Sequence, residues 1–286
     1  MGRDTGRTGL GRTGLGRGVL RQAAAADRFS LRRHEPPDDL APFVDYFWIV
    51  RWDLRGEPAY AQQVLPHPNV HLVFEDAGAN VYGVDTKIFV RRLTGLGKAL
   101  GVRFRPGGFR PFYAAPVSAL NDRVVAASGF FGAAADNAHR DVMAAADDET
   151  MTAAATAMLR AAAPTSDETA EQVAAIVARI TDDQEIRRVS QLSAEFGVPE
   201  RQLQRLFAEY VGVSPKWVMR RARLHEAALR ADAGEPVSWA QLAADLGYAD
   251  QAHLSRDFTA TIGVPPAQYA AAPTTTTEFR PRPGSR

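Results

Sequence analysis

The sequence predicts an α+β chain of two domains, a strand-rich front half and an all-helical back half. Three observations carry this. Short β-branched and aromatic runs punctuated by Gly and Pro fill the stretch before residue 105. Alanine-rich sequence with apolar residues at three and four spacing follows residue 118. A nineteen- to twenty-residue pattern is then written twice, as "GVPERQLQRLFAEYVGVSP" and "GYADQAHLSRDFTATIGVPP". At 286 residues the chain is long enough for two cores, and 45% hydrophobic against 23% charged residues place it among globular proteins.

The first element is the Arg-rich "MGRDTGRTGLGRTGLGRGVLRQ", which repeats GRTGL without core-forming periodicity; residues 1–27 are expected to be a disordered basic arm. The front domain is expected over residues 28–165. Its strands should be "FVDYFWIVRWDL", "AQQVL", "NVHLVFE", "NVYGV", "KIFVRRL" and "ALGVRFR", whose spacing is that of a small sandwich or barrel. Clustered Gly and Pro in "RFRPGGFRPF" should end the strand region in a tight turn. Two or three helices follow as a helical extension, up to a boundary at "APTSD", where Ser166 or Asp167 can cap the next helix. The back domain is expected over 166–272, and the Thr/Pro-rich 273–286 as a disordered tail.

Several function classes are excluded or disfavoured by composition. The chain has no cysteine, which removes disulfides, thiolate metal sites and thiol nucleophiles and fits a reducing cytoplasm. No window approaches eighteen uninterrupted apolar residues, and the start lacks the apolar stretch of a secretory signal, so a cytoplasmic protein is expected. No nucleophile motif, phosphate-binding glycine loop or zinc-protease helix occurs, so neither enzyme activity nor a cofactor is expected.

The repeat carries the chemistry. In the first copy a short helix (189–196) leads through Gly197 into a second helix opened by Pro199, with Leu192 and Phe196 on one apolar face and Leu203, Leu206, Phe207 and Tyr210 on the other. Left outward are Arg201, Gln202, Gln204, Arg205 and Ala208. The second copy places Leu242 and Leu246 before Gly247, then Leu254, Phe258 and Ile262, and turns Gln251, Ala252, His253, Ser255 and Arg256 outward. Each copy is a helix-turn-helix pattern: the apolar scaffold is duplicated and the polar edge is rewritten. Arg and Gln suit base reading, since Arg donates in parallel to guanine and Gln pairs with adenine. Gly197 to Arg205 is eight positions and Gly247 to Arg256 nine, so the two helices need not enter their grooves identically.

Between the copies "SPKWVMRRARLHEAALRADAG" reads as a helix of about eighteen residues, ~27 Å long, able to hold two recognition helices near one DNA turn apart. Arg220, Arg221 and Arg223 on this strut, with Ser190 and Ser238, are the expected phosphate contacts. One count opposes the reading: Ile186 to Tyr269 holds ten Lys/Arg against nine Asp/Glu, weak charge for a DNA module.

These residues resemble the AraC/XylS family of bacterial transcription regulators over roughly Ile186 to Ala270, most specifically in "LAADLGYADQAHLSRDFTATIGVPPAQYA". The resemblance implies an all-helical domain of two helix-turn-helix units joined by a long helix. Arg201, Gln204 and Arg205 would then face bases from the first unit, and Gln251, Ala252, His253, Ser255 and Arg256 from the second. Ala252 offers no hydrogen bond, and Asp250 and Asp257 bring charge that phosphates repel, so the first unit is expected to supply more affinity. Operator DNA and a small-molecule effector are the implied partners, with RNA polymerase and a second copy of the chain beside them.

The front half resembles, less specifically, the sensory domains of one AraC-like subgroup through "QVLPHPNVHLVFE" and "LGKALGVRFRPGGFRPF". This implies a small β-rich, cupin-like domain for effector binding or dimerisation. Trp48, His67, His71, Arg103 and Arg105 are the effector candidates. Even so, Tyr46, Phe47, Trp48 and Trp52 are expected chiefly as core, and surface charge is the default for the arginines. His67 and His71 would share one side of an extended strand, but two histidines without a third ligand make no metal site, and none is expected. The rival reading from another class is a cupin-type metal enzyme fused to a DNA-binding module.

Overall fold

A computed structural model describes residues 18–183, 185–233 and 236–271. The front half carries β1 (Ser30–His34), β2 (Val44–Leu54), β3 (Tyr60–Val64), β4 (His71–Glu75), β5 (Gly78–Tyr82), β6 (Phe89–Leu93), β7 (Gly95–Phe104) and β8 (Val124–Ala126). Six of them form an antiparallel sheet in the order β1-β2-β7-β4-β5-β8, and β3 pairs with β6 in a sheet of two. All six expected runs are strands. The sheets do not close into the barrel that was one of the expected forms. Two strands escaped the sequence reading: β1 because "SLRRH" is half charged, and β8 because its three residues sit inside a helix-like stretch.

Strand alternation gives the large sheet two different faces. One carries Phe47, Ile49, Leu72, Phe74, Leu100, Val102 and Phe104, each at most 1% exposed. The helical extension packs on that face: α2 (Ser128–Phe131), α3 (Ala133–Ala144) and α4 (Asp148–Ala161) cover it with Val142, Met151 and Leu159. Full burial of such a side chain stabilises by about 1.5–3 kcal/mol. Asp147 caps α4 by accepting from the Thr150 N–H at 2.8 Å, and Asp148 pins the same end to β1 and β2 through His34 and Arg51. The expected tight turn follows β7. Gly108 lies so close to Phe43 that a Cβ would sit 2.1 Å from its carbonyl oxygen, and Phe109 enters the core 1% exposed.

The expectation of disorder through residue 27 is corrected from Gly18 onward. Gly18 and Leu20 hydrogen-bond along Leu65 and Gln63, and α1 (Gln22–Ala26) buries Ala25 against Phe29, Leu54, Tyr60 and Leu93. The alanines gave this helix no polar contrast to be read from. The rest of the arm, residues 1–17, and the tail expected over 273–286 lie outside the described residues.

The back half is helical: α5 (Glu168–Asp182), α6 (Val189–Phe196), α7 (Glu200–Tyr210), α8 (Pro215–Asp232), α9 (Trp239–Asp245), α10 (Gln251–Ile262) and α11 (Pro266–Ala271). Of the two candidate caps for α5, Asp167 acts, accepting from the Thr169 N–H at 2.8 Å. The strut α8 has its expected eighteen residues, with Ser214 as cap and Pro215 in its first turn. Pro199, by contrast, is the cap residue of α7 rather than its first helical residue.

Both units of the back half share cores with the front half. Val84 packs into the cluster of α5, α6 and α7, beside Val173, Leu192 and Phe207. Leu20 and Leu65 pack into the cluster of α8, α9 and α10, beside Leu224, Leu242 and Phe258. Polar contacts follow the same seam. Asn121 donates to the Gly212 carbonyl at 2.7 Å, Arg110 to Glu209 at 2.8 Å, and Asp232 accepts from the Arg21 N–H at 3.0 Å.

Candidate DNA interface and effector cavity

The repeat is visible in the backbone. Gly197 and Gly247 stand at φ 65° and 70°, and Gly212 and Gly263 both at φ 94°, a left-handed region that a side chain strains to reach. Gly212 is needed twice over, since a Cβ there would also lie 2.7 Å from the Asn121 amide oxygen. Leu203 and Phe207 of α7 and Leu254 and Phe258 of α10 are all fully buried, holding the second helix of each unit against its partner.

The one-residue offset between the copies is located by the caps. The extra residue lies in the second turn, before the helix begins: the cap of α7 is Pro199 and that of α10 is Asp250. Counted from those caps, Arg205 and Arg256 both stand at the sixth position, and Leu203 and Leu254 both at the fourth. Arg201 faces Ala252 in this alignment, Gln202 faces His253, and Gln204 faces Ser255. Arg201, Gln202, Gln204, Arg205, Gln251, Ala252, His253 and Arg256 are exposed; Ser255 is half-buried.

The expected phosphate contacts divide. Ser190 is exposed, Ser238 is exposed while capping α9, and Arg223 is half-buried with its guanidinium 5.7 Å from the Tyr248 ring centroid. Arg220 pairs with Asp257 at 2.8 Å, tying the strut to α10. Arg221 is a correction: it is 4% exposed, donates to the Thr86 carbonyl of the front half at 2.9 Å, and lies over the Trp217 ring. Desolvation, with Arg220 adding repulsion, pulls its pKa down to about 10. Helical spacing had put it on the strut but could not say that a second domain covers that side.

The weak net charge also resolves. Asp250 is spent capping α10, where it accepts from the His253 N–H at 2.7 Å, and Asp257 on Arg220. Glu195 pairs with Arg179, Glu209 with Arg110, and Glu226 with Arg230. Arg187, Arg188, Arg201, Arg205, Lys216 and Arg256 are exposed and make no ion pair among the described residues. Sequence counting overlooked this, because it weighs an acid already paired or capping equally with a free one.

The second face of the large sheet meets a cavity of about 240 Å³, closed on the other side by β3 and β6. Trp48, His67, His71 and Arg103 line it; Arg105 does not, being exposed beyond the end of β7 and donating to the Ala41 carbonyl. His67 lies in the loop before β4 rather than in an extended strand with His71, yet both reach the cavity. Among the described residues no group of three or more His, Asp or Glu could hold a metal ion.

Of the aromatic run expected as core, only Phe47 is core; Tyr46, Trp48 and Trp52 line the cavity. The signal was there, since even-numbered β2 residues alternate with Phe47 and Ile49. What the sequence withheld was that the even face meets a void. Trp48 and Trp52 lie flat across two glycines of the paired strand: a Cβ at Gly101 would stand 2.0 Å from Trp48, and one at Gly97 2.2 Å from Trp52. Each indole is fixed by its N–H, which donates to His71 Nδ1 at 3.2 Å and to the Thr94 carbonyl at 3.1 Å respectively. Burial, with Arg103 alongside, pushes the His71 pKa down to about 3. Asp85 on the same cavity is pushed up to about 6 by burial and by Asp122.

The cavity wall touches the strut. The ring of His67, on its wall, stacks on that of His225 in α8 at 3.9 Å between centroids, 12° from parallel, and His225 Nε2 is 3.2 Å from the Pro66 carbonyl.

Comparison with known proteins bears on both halves. Residues 192–272 match the family model of a helix-turn-helix domain, and residues 32–126 that of a domain of unknown function (DUF6597). No curated protein matches the chain. Among solved structures, the unsaturated-fatty-acid-bound wild-type ToxT of Vibrio cholerae overlaps with a TM-score of 0.36 at 11% identity, over 85% of this chain and 91% of that one. ToxT bound to (E)-4-(8-methylnaphthalen-1-yl)but-3-enoic acid gives 0.39 at 11% identity, over 85% and 98%. Among the described residues, no helix is long and apolar enough to cross a membrane.

Proposed function

With residues 192–272 an AraC-type helix-turn-helix domain, we propose that this chain is a sequence-specific DNA-binding transcription regulator whose α7 and α10 enter successive major grooves. The observation that carries the reading is the matched pair of helices: equivalent arginines at equal distance from their caps, outward polar edges that differ, and one strut between them. Arg201, Gln204 and Arg205 read bases from the first unit, and Gln251, His253, Ser255 and Arg256 from the second. Ser190, Arg223 and Ser238 hold the backbone.

A small molecule in the front cavity controls this activity. Support comes from the cavity wall: His67 stacks on the strut, and the seam around it inserts Leu20, Leu65 and Val84 into the cores of both units. A ligand that displaces the wall therefore acts on the element that spaces the two helices. Nothing in the residues favours a metal-dependent reaction over this.

Gel-shift titration of the operator at physiological salt tests the DNA reading. Arg205→Ala should remove specific binding, and Arg256→Ala should weaken it by less; unchanged affinity in Arg205→Ala would defeat the assignment. RNA polymerase and a second copy of the chain are the further partners this reading expects.

A further inference from the structure

We propose that the front cavity is shaped for a flat aromatic oxyanion, its ring on the Trp48 indole and its charged oxygen at His71 and Arg103. This deepens the effector reading and rests on it for its regulatory meaning, though not for the binding itself.

The ring site follows from the glycines. Because Gly101 and Gly97 have no side chain, both indoles lie against the sheet, and their N–H anchors stop them from turning. Two immobilised π-faces in a cavity that is mostly apolar favour a planar ligand, which loses no torsional freedom on stacking.

The charged end follows from proton bookkeeping. An indole N–H can only donate, so His71 Nδ1 must accept, and the proton of the neutral ring sits on Nε2. That donor has no acceptor among the described residues. His71 stands opposite Arg103 in the strand register. Arg103 donates to Tyr46 Oη at 2.7 Å and to Asn69 Oδ1 at 2.8 Å, and its buried Nε makes an ion pair with Asp45 at 3.3 Å, which orients the guanidinium without a hydrogen bond. The guanidinium groups of Arg33 and Arg103 lie 4.7 and 5.1 Å from the Tyr46 ring centroid, gathering positive charge at this end.

Against it, the cavity offers two carboxyls. Glu75 is already held by Arg91 and by the Tyr82 hydroxyl, and Asp85, its pKa pushed up to about 6 by burial and by Asp122, takes up a proton more readily than an ordinary carboxyl. His71 and Arg103 stand one alternation along the strands from Trp48 and Gly101, ~7 Å at 3.3–3.4 Å per residue. That is the reach of a carboxylate from the ring system that bears it.

The test uses the full chain and tryptophan fluorescence, with calorimetry for affinity. The probes are 2-naphthoate, 2-naphthalenemethanol, 2-naphthylmethylammonium and decanoate. The expected result is saturable quenching by 2-naphthoate, with affinity at least about tenfold above the alcohol and the ammonium, the difference made by one charge-assisted hydrogen bond, and above decanoate, which bears the same carboxylate without a ring to stack. Arg103→Met, shown to be folded by its melting curve, should bring naphthoate and the alcohol to equal affinity. Should it fail to fold, His71→Phe is measured in its place, with the same loss of preference expected. Equal or tighter binding of decanoate overturns the aromatic part, preference for the alcohol or the ammonium overturns the oxyanion part, and no binding by any probe overturns both. Operator affinity is measured alongside. Naphthoate that binds without altering it leaves the ligand class standing and removes the effector reading; intact operator binding with no probe bound does the reverse to the ligand class.

Discussion

His71 offers a quantitative handle on the cavity. Its pKa is pushed down to about 3 in the folded chain against an ordinary 6.5, chiefly by burial and then by Arg103. The unfolded chain therefore takes up a proton below pH 6.5 that the folded chain refuses. Stability from this group is fully present above pH 6.5 and falls as the pH drops toward 3. Between pH 7.5 and 5.0 the loss integrates to about 2 kcal/mol, using 1.36 kcal/mol per pKa unit. Asp85 works the other way: with its pKa pushed up to about 6, acidification over the same range favours the folded chain by about 1.4 kcal/mol.

The two effects nearly cancel in the natural chain, so the informative comparison is with His71→Gln. Glutamine keeps an acceptor for the Trp48 N–H and cannot titrate. Melting curves at pH 7.5 and 5.0, followed by near-ultraviolet circular dichroism, should show the variant gaining about 2 kcal/mol on the natural chain upon acidification, or about 4–8 °C in Tm at 2–4 °C per kcal/mol. The quantity compared is the pH-induced shift of each protein, which removes any constant cost of the substitution. Identical shifts in the two proteins would show that His71 titrates in the folded chain as it does in the unfolded one, and the burial that keeps its ring neutral would be refuted.

Other perturbations reach the remaining parts of the structure. Gly101→Val should drive the Trp48 indole off the sheet, red-shifting its emission and destabilising by about 1–3 kcal/mol; an unchanged spectrum would refute the glycine platform. Arg221→Met should leave the salt dependence of operator binding unaltered, because Arg221 faces the front half, and stability within about 1 kcal/mol or higher, because a desolvated cation is replaced by an apolar chain. A fall of about one in the slope of log K against log salt would return it to the phosphate contacts. Leu65→Ala, at a fully buried position shared with the second helix-turn-helix unit, should cost about 2–5 kcal/mol in a melting experiment, and a negligible cost would deny that the halves share a core. Asp250→Ala removes the cap of α10 and should cost about 0.5–2 kcal/mol while leaving the first unit's contacts intact.

The DNA-reading half is local in origin, and so it was legible. Helical periodicity, a cap, a glycine turn and a strut length are all written within about eighty consecutive residues. Leu203, Phe207, Leu254 and Phe258 could be named as buried without knowing what lay opposite. The same holds for the six longer strand runs. Legibility failed wherever a contact joined residues distant in the chain. Nothing near Arg221 announces Thr86, 135 positions away. Nothing near His225 announces Pro66 and His67, and the alanines of α1 gave no period to read.

By itself, then, the sequence determined two helix-turn-helix units with differing polar edges, a strut of eighteen residues, and a strand-rich front, since each follows from propensities and periods that act over one or two turns. Only the tertiary structure decided which side of that strut is covered, that the extra residue of the second copy is absorbed before its cap, and that the even face of β2 looks onto a void. Alternation fixes which side chains share a face; what the face meets depends on how two sheets close and on which acids find partners inside, and those contacts are long-range.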